Sequence, residues 1–359
     1  MTKPMSVPET SNLHVQRFEP LVPPGQLIAE LPASADVQRR VASAREEVRR
    51  ILSGDDHRLL VVVGPCSIHD PVAALEYARR LAPLRASLAG ELCILMRVYF
   101  EKPRTNLGWK GLINDPHLDG SRDMAAGLRM SRKLLLDINE LGLPAATELL
   151  GPVVAQYIAD LVAWTAIGAR TVESQTHREM ASGLSMPVGF KNGTDGSLQV
   201  ALDGLIATGS PHTFLGLDEG GRAAIVHTTG NPDRHLVLRG GANQTNYDAQ
   251  SIGAAVDLLR RAGQYPRVMV DCSHGNSAKD HARQAAVLRD VAGQVRGGSE
   301  SILGVMLESH LNAGSQRLAG DPAGLRYGVS ITDACIDWDT TAELLEELAQ
   351  AVRLVAAGP

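Results

Sequence analysis

The chain has 359 residues, 44% of them hydrophobic and 21% charged, with a formal net charge of −5. That is ample apolar material for a large core, in two domains or in one (β/α)₈ barrel carrying insertions. The acidic balance and an aromatic content of 4% exclude a general nucleic-acid binder with base-stacking platforms, and no apolar run approaches the roughly 20 residues that span a bilayer.

Residues 1 to about 35 are Pro-rich and weakly patterned, which reads as an arm. Residues 36–53 read as a helix with Val37, Val41, Ala44, Val48 and Ile51 on one face. Short apolar runs then alternate with helical stretches. The first two runs are 59–68 and 92–100. A long interval, 101–123, rich in Gly, Pro, Asn and Asp, precedes a helix at 124–141 with Leu128, Leu134, Leu135, Ile138 and Leu141 on one side. The third to fifth runs are 144–150, 165–173 and 187–193. Residues 212–230 read as an added β-hairpin, with apolar pairs of segments flanking a turn at 218–222. The sixth to eighth runs are 235–240, 267–274 and 302–310. A last helix at 340–355 places Leu344, Leu345, Leu348, Val352 and Val355 on one side, behind a cap at Asp339.

Nearly continuous apolar runs suit strands buried on both faces. Eight of them with intervening helices predict the α/β class and a (β/α)₈ TIM barrel with an N-terminal extension and an inserted hairpin; periodicity alone leaves a doubly wound open sheet as the alternative. The start, Met1-Thr2-Lys3-Pro4, lacks an apolar signal core, and Cys66, Cys93, Cys272 and Cys335 form no CxxC pair. Both features point to a cytoplasmic protein with free thiols. The sequons at Asn192 and Asn243 then read as chance matches.

The C-terminal ends of the runs carry the most information. The first ends in Gly64-Pro65-Cys66-Ser67-Ile68-His69, the second in Arg97 with Lys102-Pro103-Arg104-Thr105 beyond it. The third gives Glu148, the fourth Arg170 after Ala169, and the fifth Lys191. The sixth gives Arg239-Gly240-Gly241, the seventh Asp271-Cys272-Ser273-His274, and the eighth Glu308-Ser309-His310. In a barrel these ends converge on one mouth, where barrel active sites lie. Arg97, Lys102, Arg104, Arg170, Lys191 and Arg239 would repel one another in a poorly hydrated pocket, so an acidic chain that gathers them does so for anions. Arg suits bidentate phosphate or carboxylate recognition and Lys acts as a point charge. So many cations fit two phosphorylated substrates better than one.

Cys66, His274, Glu308 and Asp333 form a mixed donor set. It suits Mn²⁺, Fe²⁺, Co²⁺ or Zn²⁺ better than Ca²⁺ or Mg²⁺. Taken singly each has another use: Cys66 as a small buried residue, His274 as a helix cap, Glu308 and Asp333 as solvated carboxylates. Cys66 and His69 also make a C-x-x-H, although His69 lies on the way into the next helix. No Walker A loop, HExxH or G-x-S-x-G is present, so nothing indicates a nucleotide kinase or a nucleophilic serine.

Taken together, Gly64-Pro65-Cys66-Ser67-Ile68-His69-Asp70, Lys102-Pro103-Arg104-Thr105, Gly189-Phe190-Lys191-Asn192-Gly193-Thr194-Asp195-Gly196 and Glu308-Ser309-His310-Leu311 resemble the type I 3-deoxy-D-arabino-heptulosonate-7-phosphate (DAHP) synthases. Arg239-Gly240-Gly241, Ser273-His274-Gly275-Asn276-Ser277 and Ile331-Thr332-Asp333-Ala334-Cys335 extend the resemblance, which runs from about residue 12 to residue 350. It implies a transferase that condenses phosphoenolpyruvate with erythrose 4-phosphate and water. The products are DAHP and phosphate, at the entry to the shikimate pathway and the aromatic amino acids. It implies an arm and helix at 1–55 for oligomer and effector contacts, and a catalytic barrel at 56–359.

Carried over by motif, Cys66, His274, Glu308 and Asp333 hold a divalent metal. Arg97, Glu148, Ala169, Arg170, Lys191 and Arg239 surround phosphoenolpyruvate, and Lys102, Pro103, Arg104 and Thr105 meet erythrose 4-phosphate. Lys102 is expected to protonate the developing alkoxide and Glu148 to position the attacking water. Cys66 and His274 act through the metal. Cys66, if an accessible thiolate without metal, is expected to be vulnerable to oxidation. Relatives of this type are often inhibited by an aromatic amino acid and assemble as dimers or tetramers. Asn12, Gln156, Ser185, Phe214 and Gly216 are the implied effector residues. Ser11-Asn12-Leu13-His14-Val15 resembles the arm of tyrosine-sensitive relatives, and Gly216 stands where phenylalanine-sensitive ones tend to have Ser. Ala155-Gln156-Tyr157 departs from a common Pro-Gln-Tyr. Two alternatives remain: another phosphoenolpyruvate–aldose phosphate synthase of the same fold, such as 3-deoxy-manno-octulosonate-8-phosphate synthase, and a catalytically silent effector-binding regulator.

Overall fold

The computed structural model describes residues 10–318 and 320–356. The first nine residues of the arm, with the Met1-Thr2-Lys3-Pro4 start, lie outside the described residues, as do residues 319 and 357–359. The arm leads into α1 (Pro24–Glu30) and α2 (Ala35–Ser53). Next come β1 (Leu59–Gly64), α3 (Pro71–Ser87), β2 (Leu92–Arg97), α4 (Met124–Glu140), β3 (Ala145–Glu148), α5 (Ala155–Ile158), β4 (Val162–Ile167), α6 (Gln175–Ser182), β5 (Val188–Lys191) and α7 (Gln199–Thr208). The hairpin strands are β6 (Thr213–Leu217) and β7 (Ala223–His227). The chain ends with β8 (Arg234–Leu238), α8 (Ala249–Arg261), β9 (Val268–Asp271), α9 (Gln284–Arg296), β10 (Ile302–Glu308) and α10 (Trp338–Ala356).

Eight parallel strands close a barrel in the order β1-β10-β9-β8-β5-β4-β3-β2, which removes the open-sheet alternative. The pair β6–β7 is antiparallel and stands apart, as the hairpin reading expects. Each barrel strand buries both faces. Leu60, Val62, Leu95, Trp164, Val237, Met269 and Met306 fill the interior, where Ala44, Val48, Ile51 and Leu52 of α2 join them. Outward residues such as Val61, Ile94, Phe190, Val270 and Leu307 pack under the helices. The Arg45 guanidinium donates to the Val162 carbonyl at 3.0 Å, where β4 starts. Helix α2 therefore plugs the N-terminal end of the barrel and leaves the opposite end for chemistry. Ser34 caps it by accepting from the Val37 amide at 3.2 Å, and Gly54 ends it at φ +88°.

The strand reading differs most at β4, expected at 165–173 and found at Val162–Ile167. Val162-Ala163-Trp164 enter the sheet straight from the 3₁₀ turn Ala159–Leu161, without a Gly or Pro to announce a start. Beyond Ile167 the chain winds into turns, with the Val172 amide bonded to the Gly168 carbonyl at 2.9 Å. The cap of α10 is also corrected. Asp337, not Asp339, accepts from the Thr340 amide at 2.8 Å, and the helix begins at Trp338. Among the described residues no helix is long and apolar enough to cross a membrane.

Candidate active site

Arg97, Glu148, Lys191, Asp271 and Glu308 are the last residues of their strands, so five side chains start from one ring of backbone. Gly240, at φ +72°, lets the loops after β8 and β9 touch: a Cβ there would meet Asn276 N and Gly275 C at 2.6 Å. Gly168 does the same for Glu148, whose Oε1 lies 2.1 Å from where a Cβ would stand.

Three adjoining cavities open at this end, the largest, of about 790 Å³, beside Arg170, Arg239 and the loops after β8 and β9. One, of about 100 Å³, is lined by Lys102, Pro103, Arg104, Glu148, Ala169, Arg170, Lys191, Arg239, His274 and Asp333, among others. The next, of about 340 Å³, shares Arg170, Arg239, His274 and Asp333 and adds Glu308. Sequence-predicted residues from eight segments thus meet around these spaces. Arg97 does not line them: it is 1% exposed, stacks over the Tyr99 ring at 3.5 Å and donates to Glu308 Oε1 at 2.9 Å. Thr105 is exposed and lies outside these linings.

The donor set also converges. Ligand atoms of Cys66, Glu308 and Asp333 lie within 4.8 Å of one another, and His274 Nε2 is 3.8 Å from Glu308 Oε1. Asp333 is drawn in by its loop, since Cys335 pairs with Gly314 and its Sγ accepts from the Cys66 amide at 3.4 Å. His274, at φ +57°, has its Nδ1 2.9 Å from Asp271 Oδ2 and 2.6 Å from Ser273 Oγ. An Nδ1–H held there leaves the Nε2 lone pair facing the cluster. A thiol, an imidazole nitrogen and two carboxylates at this spacing fit a divalent transition ion. His69 is not part of the set: its ring packs edge-on against His310, centroids 6.2 Å apart.

The electrostatics agree with an anion site beside a cation site. Burial and the Glu308 carboxylate push the Cys66 thiol up to about 12. Cys66 is fully buried as well, so it is a shielded thiol and not the accessible thiolate that easy oxidation requires. Desolvation pushes the Asp333 carboxyl up, but Lys102 and His274 outweigh it and hold it below its usual range. Lys102 Nζ lies 3.1 Å from Cys66 Sγ and 3.8 Å from Asp333 Oδ2. Burial, with the Arg170 charge nearby, lowers Arg239. Two guanidiniums share that wall, bonded to the Pro103 and Gly240 carbonyls, and among the described residues no carboxylate is bonded to either.

Residues 32–346 match the DAHP synthetase I family. The chain belongs to that family. It is 55% identical over 346 residues to the Phe-sensitive phospho-2-dehydro-3-deoxyheptonate aldolase of Escherichia coli K12, covering 96% of this chain and 98% of that one. It is 52% identical over 340 residues to the Tyr-sensitive enzyme of the same organism, covering 95% of each. The solved phospho-2-dehydro-3-deoxyheptonate aldolase of Francisella tularensis superposes with a TM-score of 0.92 at 47% identity, covering 95% of this chain and 99% of that one.

In this member of the DAHP synthetase I family, the implied effector residues divide. Gln156, Phe214 and Gly216 line a cavity of about 490 Å³ between α5, α6 and the hairpin. Asn12 and Ser185 do not line it. Asn12 is exposed on the arm, and the Ser185 carbonyl accepts from Arg49 at 3.4 Å. Sequence reasoning gave no role to Asp271, Ser273, Tyr99 or Gln284. Gln284 clamps the Glu308 backbone, donating to its carbonyl at 3.0 Å and accepting from its amide at 2.8 Å. Only Asp271 left a signal, an acid closing the apolar run Val268-Met269-Val270.

Proposed function

We propose that this chain condenses phosphoenolpyruvate with erythrose 4-phosphate and water to give DAHP and inorganic phosphate. The observation that carries this reading is the meeting of Lys102, Arg104, Arg170, Lys191 and Arg239 around one cavity that also holds Glu148 and faces the Cys66–His274–Glu308–Asp333 donors. The relatives at 52–55% identity, named as aldolases of this product, support it; neither alternative synthase nor silent regulator draws support from them.

Arg170, Lys191 and Arg239, with the Ala169 backbone, hold phosphoenolpyruvate, and Arg97 fixes Glu308 from below. Pro103 and Arg104 hold erythrose 4-phosphate at the cavity wall, with Thr105 reaching it only from the exposed rim beyond the lining. Holding both anions converts an encounter into a positioned pair. When bound by Cys66, His274, Glu308 and Asp333, a divalent ion (Mn²⁺, Fe²⁺, Co²⁺ or Zn²⁺) supplies a Lewis acid for the aldehyde. Carbon 3 of phosphoenolpyruvate bonds to the aldehyde carbon, and Lys102 Nζ gives its proton to the developing alkoxide. Glu148 orients water toward carbon 2, where positive character has developed. The proton shed by that water restores the Lys102 ammonium, and the resulting hemiketal phosphate gives up its hydroxyl proton to the departing phosphate as the C–O bond breaks, which leaves the ketone of DAHP.

We further read the cavity beside the hairpin as an effector site for an aromatic amino acid, tyrosine by preference, in a cytoplasmic homodimer or homotetramer. The Phe and Tyr sensitivities in the relatives' names and the Gly216 wall support this. The test is phosphate release with added metal, both substrates and a panel of aldose phosphates, repeated with each aromatic amino acid. Release with erythrose 4-phosphate alone is expected. Release with arabinose 5-phosphate instead removes the assignment, and indifference to tyrosine removes that effector.

A further inference from the structure

Asp271 closes β9 with none of its surface exposed. Its Oδ1 accepts from the Ser273 amide at 3.0 Å and the Ser273 hydroxyl at 2.6 Å. Its Oδ2 is shared. Lys191 Nζ reaches it at 2.8 Å and His274 Nδ1 at 2.9 Å. One buried charge therefore serves two groups that belong to different ligands. Arg97 and Glu308 form another buried ion pair of the site, but Arg97 lines neither cavity, so that pair does not join two ligand-facing groups.

We propose that Asp271 is a positioning residue that couples anion binding at Lys191 to metal binding at His274, so that each ligand tightens the other. The proposal rests on reading Lys191 as a phosphoenolpyruvate contact and His274 as a metal ligand. An ammonium and an imidazole N–H compete for a single carboxylate oxygen. An anion arriving at Lys191 takes over part of the ammonium's charge. Oδ2 is then left more fully to His274. A carboxylate that holds Nδ1–H firmly orients the ring and makes Nε2 a better donor to the ion. Linkage requires the reverse effect to be equal: an ion on Nε2 draws Oδ2 toward the imidazole and frees Lys191 for the anion.

Co²⁺ titrations monitored by the thiolate-to-cobalt absorption, with and without phosphoenolpyruvate, read this coupling without turnover. In the unaltered protein phosphoenolpyruvate is expected to tighten Co²⁺ at least about fivefold. Asp271→Asn is expected to weaken Co²⁺ about ten- to hundredfold and to bring the coupling factor to about one. Asp271→Glu, which keeps the charge, should restore part of both. Unaltered protein whose Co²⁺ affinity ignores phosphoenolpyruvate overturns the proposal without any variant, so a variant that fails to fold does not protect it. Folded Asp271→Asn with unchanged affinity and coupling overturns it too. Failure of the underlying site reading looks different: Co²⁺ or phosphoenolpyruvate then does not bind at all, or Cys66→Ser takes up Co²⁺ as the unaltered protein does.

Discussion

Lys102 is a buried amine that keeps its proton. Burial pushes its ammonium down, yet Cys66, Glu308 and Asp333 more than reverse that and raise it above its ordinary value. Such a group gives up a proton only to a strong base, and an alkoxide forming beside it is one. Glu148 is nearly buried, with Gly168 giving it room, and it faces Arg170 and Lys191 across the cavity. A positioned proton donor or a water-orienting carboxylate contributes about 10²–10⁴-fold. Lys102→Met and Glu148→Gln are therefore each expected to lower kcat by at least about a hundredfold, with the fold retained. Turnover and circular dichroism check this together. Near-normal turnover in Lys102→Met removes the proton-donor role, and near-normal turnover in Glu148→Gln removes the water-orienting role. The cations and three of the ligands were legible because each is an ionisable residue standing at or just beyond the end of an apolar run; Asp333, in the loop after β10, is the exception. Asp271 stood in the same place but is opposite in sign to the cations and lies outside the donor set. Its partners, Lys191 and His274, are 80 and three residues away in sequence, so only the closed barrel reveals that they share one oxygen.

At the scale of elements, burial on both faces made the barrel readable. A strand with helices outside and side chains inside has no polar face, so its sequence is an unbroken apolar run. The edges were less readable for the same reason. Val162-Ala163-Trp164 belong to β4 but carry no boundary signal, while residues 168–173 looked like its continuation. The α10 cap was missed because Asp337 and Asp339 are equivalent by sequence. The chain's approach decides between them: the Ile336 amide bonds the Glu308 carbonyl at 3.0 Å, which places Asp337 at the helix entrance. Helix α2 was read correctly as amphipathic, but its use as a barrel plug needed the structure. Ile51 is fully buried among barrel-interior residues. Ile51→Ala is expected to cost about 2–5 kcal/mol by leaving a cavity. Val355→Ala, at a position 46% exposed on α10, should change stability by no more than about 0.5 kcal/mol. Denaturant midpoints of the two variants measure the contrast, with kcat at 25 °C unchanged in both because neither side chain reaches the cavity. Equal midpoints would mean that α2 does not plug the barrel in solution.

For the whole molecule, the arm is the part whose sequence and single-chain structure disagree about comfort. Leu13, Val15 and Phe18 are 63%, 46% and 80% exposed, and Leu215 and Ile225 on the hairpin are 87% and 65% exposed. The arm's end is nonetheless fixed. The Gly25 amide donates to the Glu219 carbonyl at the hairpin turn at 2.8 Å, and Tyr157 Oη donates to the Val22 carbonyl at 2.7 Å. These anchors bring the arm, the hairpin and α5 to the same side as the cavity lined by Gln156, Phe214 and Gly216. Large apolar side chains left in water on an anchored segment are the composition of an interface. The proposed dimer or tetramer would cover these side chains with a second copy, and the proposed effector role of Asn12, which does not line the cavity in one chain, requires such a copy. Phe18→Asp should then lower the assembly state seen by light scattering and raise the tyrosine concentration for half-inhibition about tenfold or more, the effect of one lost anchor worth about 1.4 kcal/mol. Turnover without amino acid should stay at its unaltered level, since Phe18 lines neither catalytic cavity. An unchanged assembly with unchanged tyrosine response would separate the arm from both roles. Loss of assembly with intact inhibition would instead confine the effector site to the single chain, with Gln156, Phe214 and Gly216 sufficient to build it.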